Sequence, residues 1–256
     1  MRCLLISSGP KRAAKPFVLI LPAFLAACAT SGPPGNGISD PYEKVNRQIH
    51  EFNKGFDTAV FRPVSHGYGL VFPQYVRQRV NNFRANLDLP GEVINDALQG
   101  EGEDFGHNFF RFLVNTTIGV LGFFDPATSF GLERRTTDFG ETLKVWGAGE
   151  GAYLEVPLFG PYTQRHLAGD VADLFLNPLT FVGLSAPEAY IPPTTYVLEK
   201  ADQRYEFSDT VDSVLYGSAD SYAQTRQIYL DNRRFGLGGT AAQGPAIDPY
   251  EELYGE

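Results

Sequence analysis

The sequence predicts a mostly α protein: a single ring-like helical domain, its amphipathic helices joined by short apolar hairpins and embedded in one membrane leaflet. Three observations carry that prediction. Apolar residues recur every three or four positions over much of the chain, which is the spacing of one helix face, and no strand–helix–strand alternation interrupts it. Two apolar stretches, Phe112 to Phe124 and Leu174 to Leu184, are broken by glycine or proline and fall short of the ~20 residues that cross a bilayer. Ahead of them a basic cluster (Lys11, Arg12, Lys15) leads into an apolar run from Phe17 that ends on Leu25-Ala26-Ala27-Cys28.

That leader reads as a secretory signal, too short for a mature membrane span. The small residues before Cys28 have the pattern cut by lipoprotein signal peptidase. Residues 1–27 are therefore expected to be removed and Cys28 to become the acylated first residue; an ordinary signal with an incidental cysteine is the alternative. Several acyl chains, at about 0.8 kcal/mol per buried methylene, hold a protein on a membrane far more firmly than one. Ala29 and Thr30 stand where an aspartate would retain a lipoprotein at the inner membrane, so the expected address is the periplasmic leaflet of the outer membrane. Residues 28–39, with Ser31-Gly32-Pro33-Pro34-Gly35, read as a flexible tether.

Losing the signal removes four basic residues and no acidic ones, which moves the formal charge from −9 to −13. Such a chain is a poor partner for nucleic acid or for anionic lipid through charge. Membrane contact then falls to apolar groups and the anchor. Cys3 leaves with the signal and Cys28 is consumed by acylation, so neither a disulfide nor a thiol nucleophile is expected.

Along the chain, Asp40 is placed as N-cap of a first helix, with Pro41 at its first position and Glu43 in capping-box spacing. Val45, Ile49, Phe52 and Phe56 form its apolar face; Asn46, Arg47, His50 and Asn53 lie on the other, and Arg62-Pro63 is the expected stop. Further helices are predicted from Pro73 to Leu87, Pro90 to Leu98 and Glu103 to Val114, the last with Phe105, Phe109 and Phe112 aligned. Glu133 to Trp146 is predicted helical and capped by Gly147; Tyr153 to Phe159 is extended. Thr163 to Leu174, Pro193 to Tyr205 and a long segment from Ser208 or Asp209 to Phe235 complete the helices. The domain thus covers residues 40–235, and the Gly/Ala-rich acidic tail, 236–256, is expected to be disordered. Backbone in lipid must be hydrogen-bonded internally or face a wet cavity. Helices arranged in a ring, apolar outside and polar inside, meet both demands.

The ordered set of motifs resembles the VacJ/MlaA lipoprotein family. It runs from Asp40-Pro41-Tyr42-Glu43-Lys44-Val45-Asn46-Arg47 through Leu98-Gln99-Gly100, Arg111-Phe112-Leu113-Val114-Asn115-Thr116 and Asp138-Phe139-Gly140-Glu141-Thr142-Leu143. It ends with Pro157-Leu158-Phe159-Gly160-Pro161 and Gly169-Asp170-Val171-Ala172-Asp173. The resemblance implies a ring-shaped lipoprotein of the outer membrane, often beside a trimeric porin. Through its central amphipathic channel, mislocalised phospholipid leaves the outer leaflet for a soluble periplasmic lipid-binding carrier. It implies no catalysis and no cofactor, and no phosphate-binding Gly-x-x-x-x-Gly-Lys-Ser/Thr loop occurs.

Candidate channel residues follow. The polar face of Asn46, Arg47, His50 and Asn53 is one set. Arg165, Asp170 and Asp173 on one predicted helix are another, as a gate or head-group contact, or else as an ion pair holding the ring closed. Arg111 and Asn115, four apart beneath the first apolar run, either meet lipid phosphate or cap the structure. Gly119 and Gly122 are candidate hinges, or simply permit turns and close helix contacts. No histidine is read in register with the Asp170 and Asp173 carboxylates, so no metal site is expected. A lipid-anchored envelope hydrolase and a structural tether are the competing readings. The first lacks a Gly-x-Ser-x-Gly elbow, with Glu141 and Glu150 its only acidic candidates; the second gives no reason for two broken apolar segments.

Overall fold

The computed structural model describes residues 38–183 and 185–238. Residues 1–37, with the leader and Cys28, as well as Leu184 and residues 239–256 of the tail, lie outside the described residues. Among the described residues the fold is mostly α, as predicted, with one two-stranded hairpin. No described helix is long and apolar enough to cross a membrane.

The first helical rod is α1 (Glu43–Phe56), a π turn (Asp57–Phe61) and α2 (Arg62–Val71), running without a break. Two sequence expectations are corrected here. Tyr42, not Asp40, is the N-cap, its carbonyl taking the Val45 and Asn46 amides at 2.9 Å. Asp40 is drawn away by stronger, charge-assisted partners, accepting from Asn46 at 2.9 Å and from Tyr222 and Arg226. Arg62-Pro63 does not end the rod either. The π turn carries the Arg62 amide back to the Asp57 carbonyl, shifting the register just where proline has no N–H to give.

Helix α3 (Gln74–Gln99) joins two predicted helices into one, with Pro90 inside it and Gly100 in the left-handed conformation closing it. The turn that proline weakens is repaired from outside: Asn177 packs beside Gly91 and donates to the Leu87 carbonyl at 2.9 Å. Helix α4 (Gly102–Thr117) runs into the first apolar turn and then α5 (Pro126–Ser129). The helix predicted from Glu133 begins only at α6 (Phe139–Val145), because Asp138 is its N-cap and accepts from the Glu141 amide at 2.9 Å. Strands β1 (Tyr153–Val156) and β2 (Gly160–Thr163) pair antiparallel, Tyr153 opposite Thr163; the sequence showed only the first of them. Then come α7 (Gln164–Leu176), capped by Thr163, and α8 (Ile191–Glu206). The long final helix is divided into α9 (Ser208–Asp212), a second π turn (Ser213–Gly217) and α10 (Ser221–Gly236). The division falls at Asp220, which caps α10 through the Ala223 amide at 3.0 Å.

Packing closes on itself. Helix α1 leads through the π turn to α2, α2 lies on α8, α8 on α3, α3 on α6, α6 on α7, α7 on β2, and β1 returns to α1. Around this circuit the usual pattern of burial is inverted. On α1, Asn46 and His50 are 2% exposed while Phe52 is 55% exposed. On α4 the buried residues are Asn108, Arg111 and Asn115, with Phe105, Phe109 and Phe110 outside. The compact apolar cluster is Tyr153, Tyr222 and Leu230, with Ile38 and Tyr229 against it.

Ion pairs carry much of what an apolar core would. Arg204 on α8 reaches Asp57 in the first π turn at 2.9 and 2.8 Å and Asp212 at 2.6 Å, and the Tyr216 hydroxyl of the second π turn donates to Asp57 at 2.7 Å. Arg77 pairs with Asp202 across α3 and α8, and Arg233 of α10 holds Asp138 at 2.6 and 2.7 Å. Replacing Arg204 by methionine leaves the buried Asp57 carboxylate with the Tyr216 hydroxyl alone. The expected cost is about 3–5 kcal/mol, measurable as a lowered unfolding midpoint of the detergent-solubilised protein and partly recovered in the double variant with Asp57→Leu.

Candidate functional site in the polar interior

Helix α3 presents Arg84, Asp88 and Glu92 at successive i, i+4 positions, one above another. Arg84 pairs with Asp88 at 2.8 Å and lies 4.0 Å from Glu199 of α8. Its guanidinium and the Lys200 ammonium both approach the Tyr196 ring, at 5.6 and 5.4 Å from the centroid. From α7, Asp170 accepts from the Tyr162 hydroxyl of β2 at 3.0 Å. Tyr196 ties these faces together. Burial raises its pKa, with further contributions from the charges of Asp170, Glu199 and Asp88.

The wall is partly desolvated, and its carboxyls show it. Burial pushes Asp88 up to about 6 against the pull of Arg84 and Arg134. Burial raises Glu92 to about 8, with Arg134 4.0 Å away. Asp170 is raised to about 6, again by burial first. Such a surface carries both signs of charge and several half-buried hydroxyls. It can accompany a polar group that bears both charges, and it presents no activated nucleophile. The Arg84–Asp88–Glu92 ladder was missed in the sequence because Pro90 was read as starting a new helix, which put Glu92 on a different element; the i, i+4 spacing was the available signal.

The residues singled out in the sequence are placed as follows. Asn46 holds strand β1, donating to the Tyr153 carbonyl at 3.1 Å and accepting from the Glu155 amide at 3.0 Å. Asn53 donates to the Val156 carbonyl at 3.0 Å and accepts from the Leu158 amide at 2.7 Å. Arg47 is exposed and forks onto Asp220 at 3.0 and 2.9 Å. Arg165 donates to the Ala148 carbonyl at 3.0 Å and makes no ion pair with Asp170 or Asp173. Asp173 instead accepts from Asn95 at 2.8 Å and from the Phe139 amide at 2.9 Å. A histidine does fall in register after all: His166 lies 3.4 Å from Asp170. Burial, then Arg233, lowers it to about 4, so it is neutral near pH 7. Among the described residues no group of three His, Cys, Asp or Glu is placed to hold a metal.

One constellation was invisible in the sequence. His50 lies 3.0 Å from the Ser221 hydroxyl and 3.3 Å from Glu155, the order of a nucleophile, base and acid. All three are buried, and Glu155 also accepts from the Tyr153 hydroxyl at 2.5 Å. The set knits α1, the hairpin and α10 together. Of the other acidic candidates, Glu141 accepts from Thr137 at 3.0 Å and Glu150 pairs with Arg234 at 2.8 Å.

At the foot of the first apolar turn, Arg111 and Asn115 converge on Asp125, at 2.5 and 2.9 Å. Burial raises that carboxyl, but hydrogen bonds from Thr128, Asn115 and Arg111 outweigh it and hold Asp125 below the usual range. The turn folds back tightly: the Gly122 amide reaches the Asn115 carbonyl at 2.8 Å and the Phe124 amide reaches Gly119 at 2.9 Å. A Cβ on Gly119 would sit 2.4 Å from two carbonyl oxygens, and one on Gly122 would sit 2.3 Å from Asn86. Outside, Ile118, Val120, Leu121 and Phe124 are exposed, as are Phe175, Phe181 and Val182 in the second apolar segment. Between α3 and α4, behind the turn, lies a polar cavity of about 160 Å³.

Glu92 makes this site pH-sensitive. Its carboxyl is neutral in the fold up to about pH 8, against 4.5 in an unfolded chain, so its contribution to stability is complete below 4.5 and lost as pH rises through 8. Glu92→Gln is therefore expected to flatten the decline of the unfolding midpoint between pH 5 and 9, on the scale set by roughly those pH limits.

A family model described as MlaA lipoprotein matches residues 38–236. The chain is 33% identical over 231 residues to the intermembrane phospholipid transport system lipoprotein MlaA of Escherichia coli K12, covering 89% of this chain and 88% of that one. The counterpart in Haemophilus influenzae is 29% identical over 245 residues, 91% and 94% of the two chains. An uncharacterized protein of Rickettsia prowazekii is 34% identical over 190 residues, 74% of each. A solved structure from work on the structural basis for maintenance of bacterial outer membrane lipid asymmetry superposes with a TM-score of 0.69 at 30% identity. It covers 78% of this chain and 99% of its own. With its inverted helices, closed packing circuit and matched motifs, this chain belongs to the MlaA lipoprotein family.

Proposed function

We propose that this protein is a non-enzymatic outer-membrane lipoprotein of intermembrane phospholipid transport, held in the periplasmic leaflet by acylated Cys28. It takes phospholipids that have strayed into the outer leaflet, conducts them past its polar interior and passes them to a soluble periplasmic carrier, with a trimeric porin as neighbour. The observation that carries this reading is the inversion of burial around a closed circuit of elements. Apolar residues of α1, α4 and the two broken apolar segments are exposed on the outside, while polar groups face in. Lipid is the solvent that such an exterior matches. A charged head group is costly to move through hydrocarbon, and a partly wet wall of mixed charge lowers that cost. Polar groups first read as channel-facing, such as Asn46 and Asn53, support the reading indirectly by fixing the hairpin that completes the circuit. Gly119 and Gly122 allow the apolar turn to double back, and a hinge role would act through that turn.

Three measurements test this. Cells lacking the protein should accumulate phospholipid in the outer leaflet, read by lipase accessibility; wild type should restore the barrier and Cys28→Ala should not. An unchanged surface in the deletion strain, with the protein normally present there, would overturn the transport role. Phe124→Asp with Phe181→Asp should shift the protein from the membrane pellet toward the soluble fraction when Cys28 is also replaced, since burying a charge in hydrocarbon costs several kcal/mol, roughly 2.5–3.5 per residue on insertion scales. Ser221→Ala should retain transport and lose about 1 kcal/mol of stability; abolished transport in a folded Ser221→Ala protein would return the hydrolase reading.

A further inference from the structure

The cavity between α3 and α4 has chemistry that the transport reading does not use. Its floor is already satisfied: Arg111, Asn115 and Thr128 close on Asp125. Its α3 wall is not. The carbonyl oxygens of Asn81 and Asn86 are buried without a hydrogen-bond partner, and Asn86 is only 4% exposed. The amide groups of both are spent, Asn81 on Asp202 at 2.5 Å and Asn86 on Thr116 and the Leu121 carbonyl at 3.0 and 3.2 Å. What remains of these two side chains can only accept. Across the cavity stands Arg134, with the carboxyl of Glu92 4.0 Å away. One oxygen of Glu92 is likewise buried and unpartnered. The volume of about 160 Å³ exceeds by an order of magnitude the roughly 10–15 Å³ that one water needs.

We propose that this cavity binds the phosphoethanolamine head of a zwitterionic phospholipid, its phosphate on Arg134 and its primary ammonium on the unpartnered carbonyl oxygens of Asn81 and Asn86. Resting on the transport reading, this names the class of lipid that the interior selects. Buried acceptors demand an N–H or O–H donor. A trimethylammonium group has none to offer, and a phosphoglycerol head brings donors but adds a net negative charge near the Asp88 carboxylate, whose charge is felt at Arg134. A primary ammonium meets both conditions. The acyl chains need not enter: Asn86 and Asn115 line the cavity and also hold the exposed apolar turn through the Leu121 carbonyl and the Gly122 amide. That turn offers Phe123, stacked on Phe83 at 4.7 Å, and Phe124, under Arg79 at 4.5 Å, as an adjoining apolar surface.

The test uses the full acylated protein in detergent, offered an equimolar mixture of phosphatidylethanolamine, phosphatidylglycerol and phosphatidylcholine with matched tails. Bound lipid is recovered after gel filtration and counted by mass spectrometry. Phosphatidylethanolamine should be enriched several-fold over both competitors, and Arg134→Gln should lower its retention about tenfold. Arg134 is 39% exposed on an extended segment, so the fold should survive, which the unfolding midpoint checks. Soluble phosphoethanolamine should displace the lipid at concentrations where inorganic phosphate does not. Equal retention of the three lipids, or of phosphatidylethanolamine by the Arg134→Gln protein, would overturn the site while leaving transport standing. Displacement by phosphate alone would reduce the cavity to an anion site and also overturn it. Retention of no phospholipid by the wild type would remove both the site and the transport reading beneath it.

Discussion

A helix that turns its apolar face outward must find partners for its polar face within the protein, and that requirement organises this fold. Arg204 shows how it is met. Buried on α8, it binds Asp57 and Asp212, and so ties the first π turn to the region of the second. Arg77 with Asp202, Arg226 with Asp40 and Arg233 with Asp138 repeat the device between other elements. Bidentate guanidinium–carboxylate geometry gives the Arg204–Asp57 and Arg233–Asp138 junctions a direction as well as an attraction. A buried pair of this kind contributes little net stability over an apolar one, yet breaking it is expensive.

The same constraint explains the irregularities. Two π turns, a proline inside α3 and a tightly folded apolar turn are all places where regular helix gives out. At two of them a side chain from another element bonds the backbone: Asn177 donates to the Leu87 carbonyl beside Pro90, and Asn86 to the Leu121 carbonyl of the apolar turn. The two π turns are instead joined to each other by the Tyr216 hydroxyl, which donates to Asp57.

The interior wall is different in kind. Asp88, Glu92 and Asp170 are held partly desolvated, each with its pKa raised by burial, Asp88 even though Arg84 pairs with it at 2.8 Å. At the junctions, despite burial, arginine holds Asp138 and Asp212 below the usual carboxylate range. Perturbed carboxyls of this kind mark a candidate functional surface, and the proposed passage of a lipid head group would use it to replace part of the head group's water.

The sequence by itself determined the helical class, most helix positions, the inward turn of the polar faces and the family. All of these reside in local periodicity and in motifs read along the chain. It placed Asn46 and His50 opposite Phe52 on α1, and it placed Arg111 with Asn115 on one face of α4, because the helical repeat alone fixes those relations. The tertiary structure decided which long-range partner each polar group takes. Nothing near Asp40 in sequence foretells Tyr222 and Arg226, nor does anything near His50 foretell Ser221 and Glu155. Pro90 and Pro63 read as stops because the side chains and turns that let the helix continue lie elsewhere in the fold. The cavity behind the apolar turn has the same origin. Its acceptors come from α3 and its cation from the segment after α5, and only the packing of α3 against α4 brings them together.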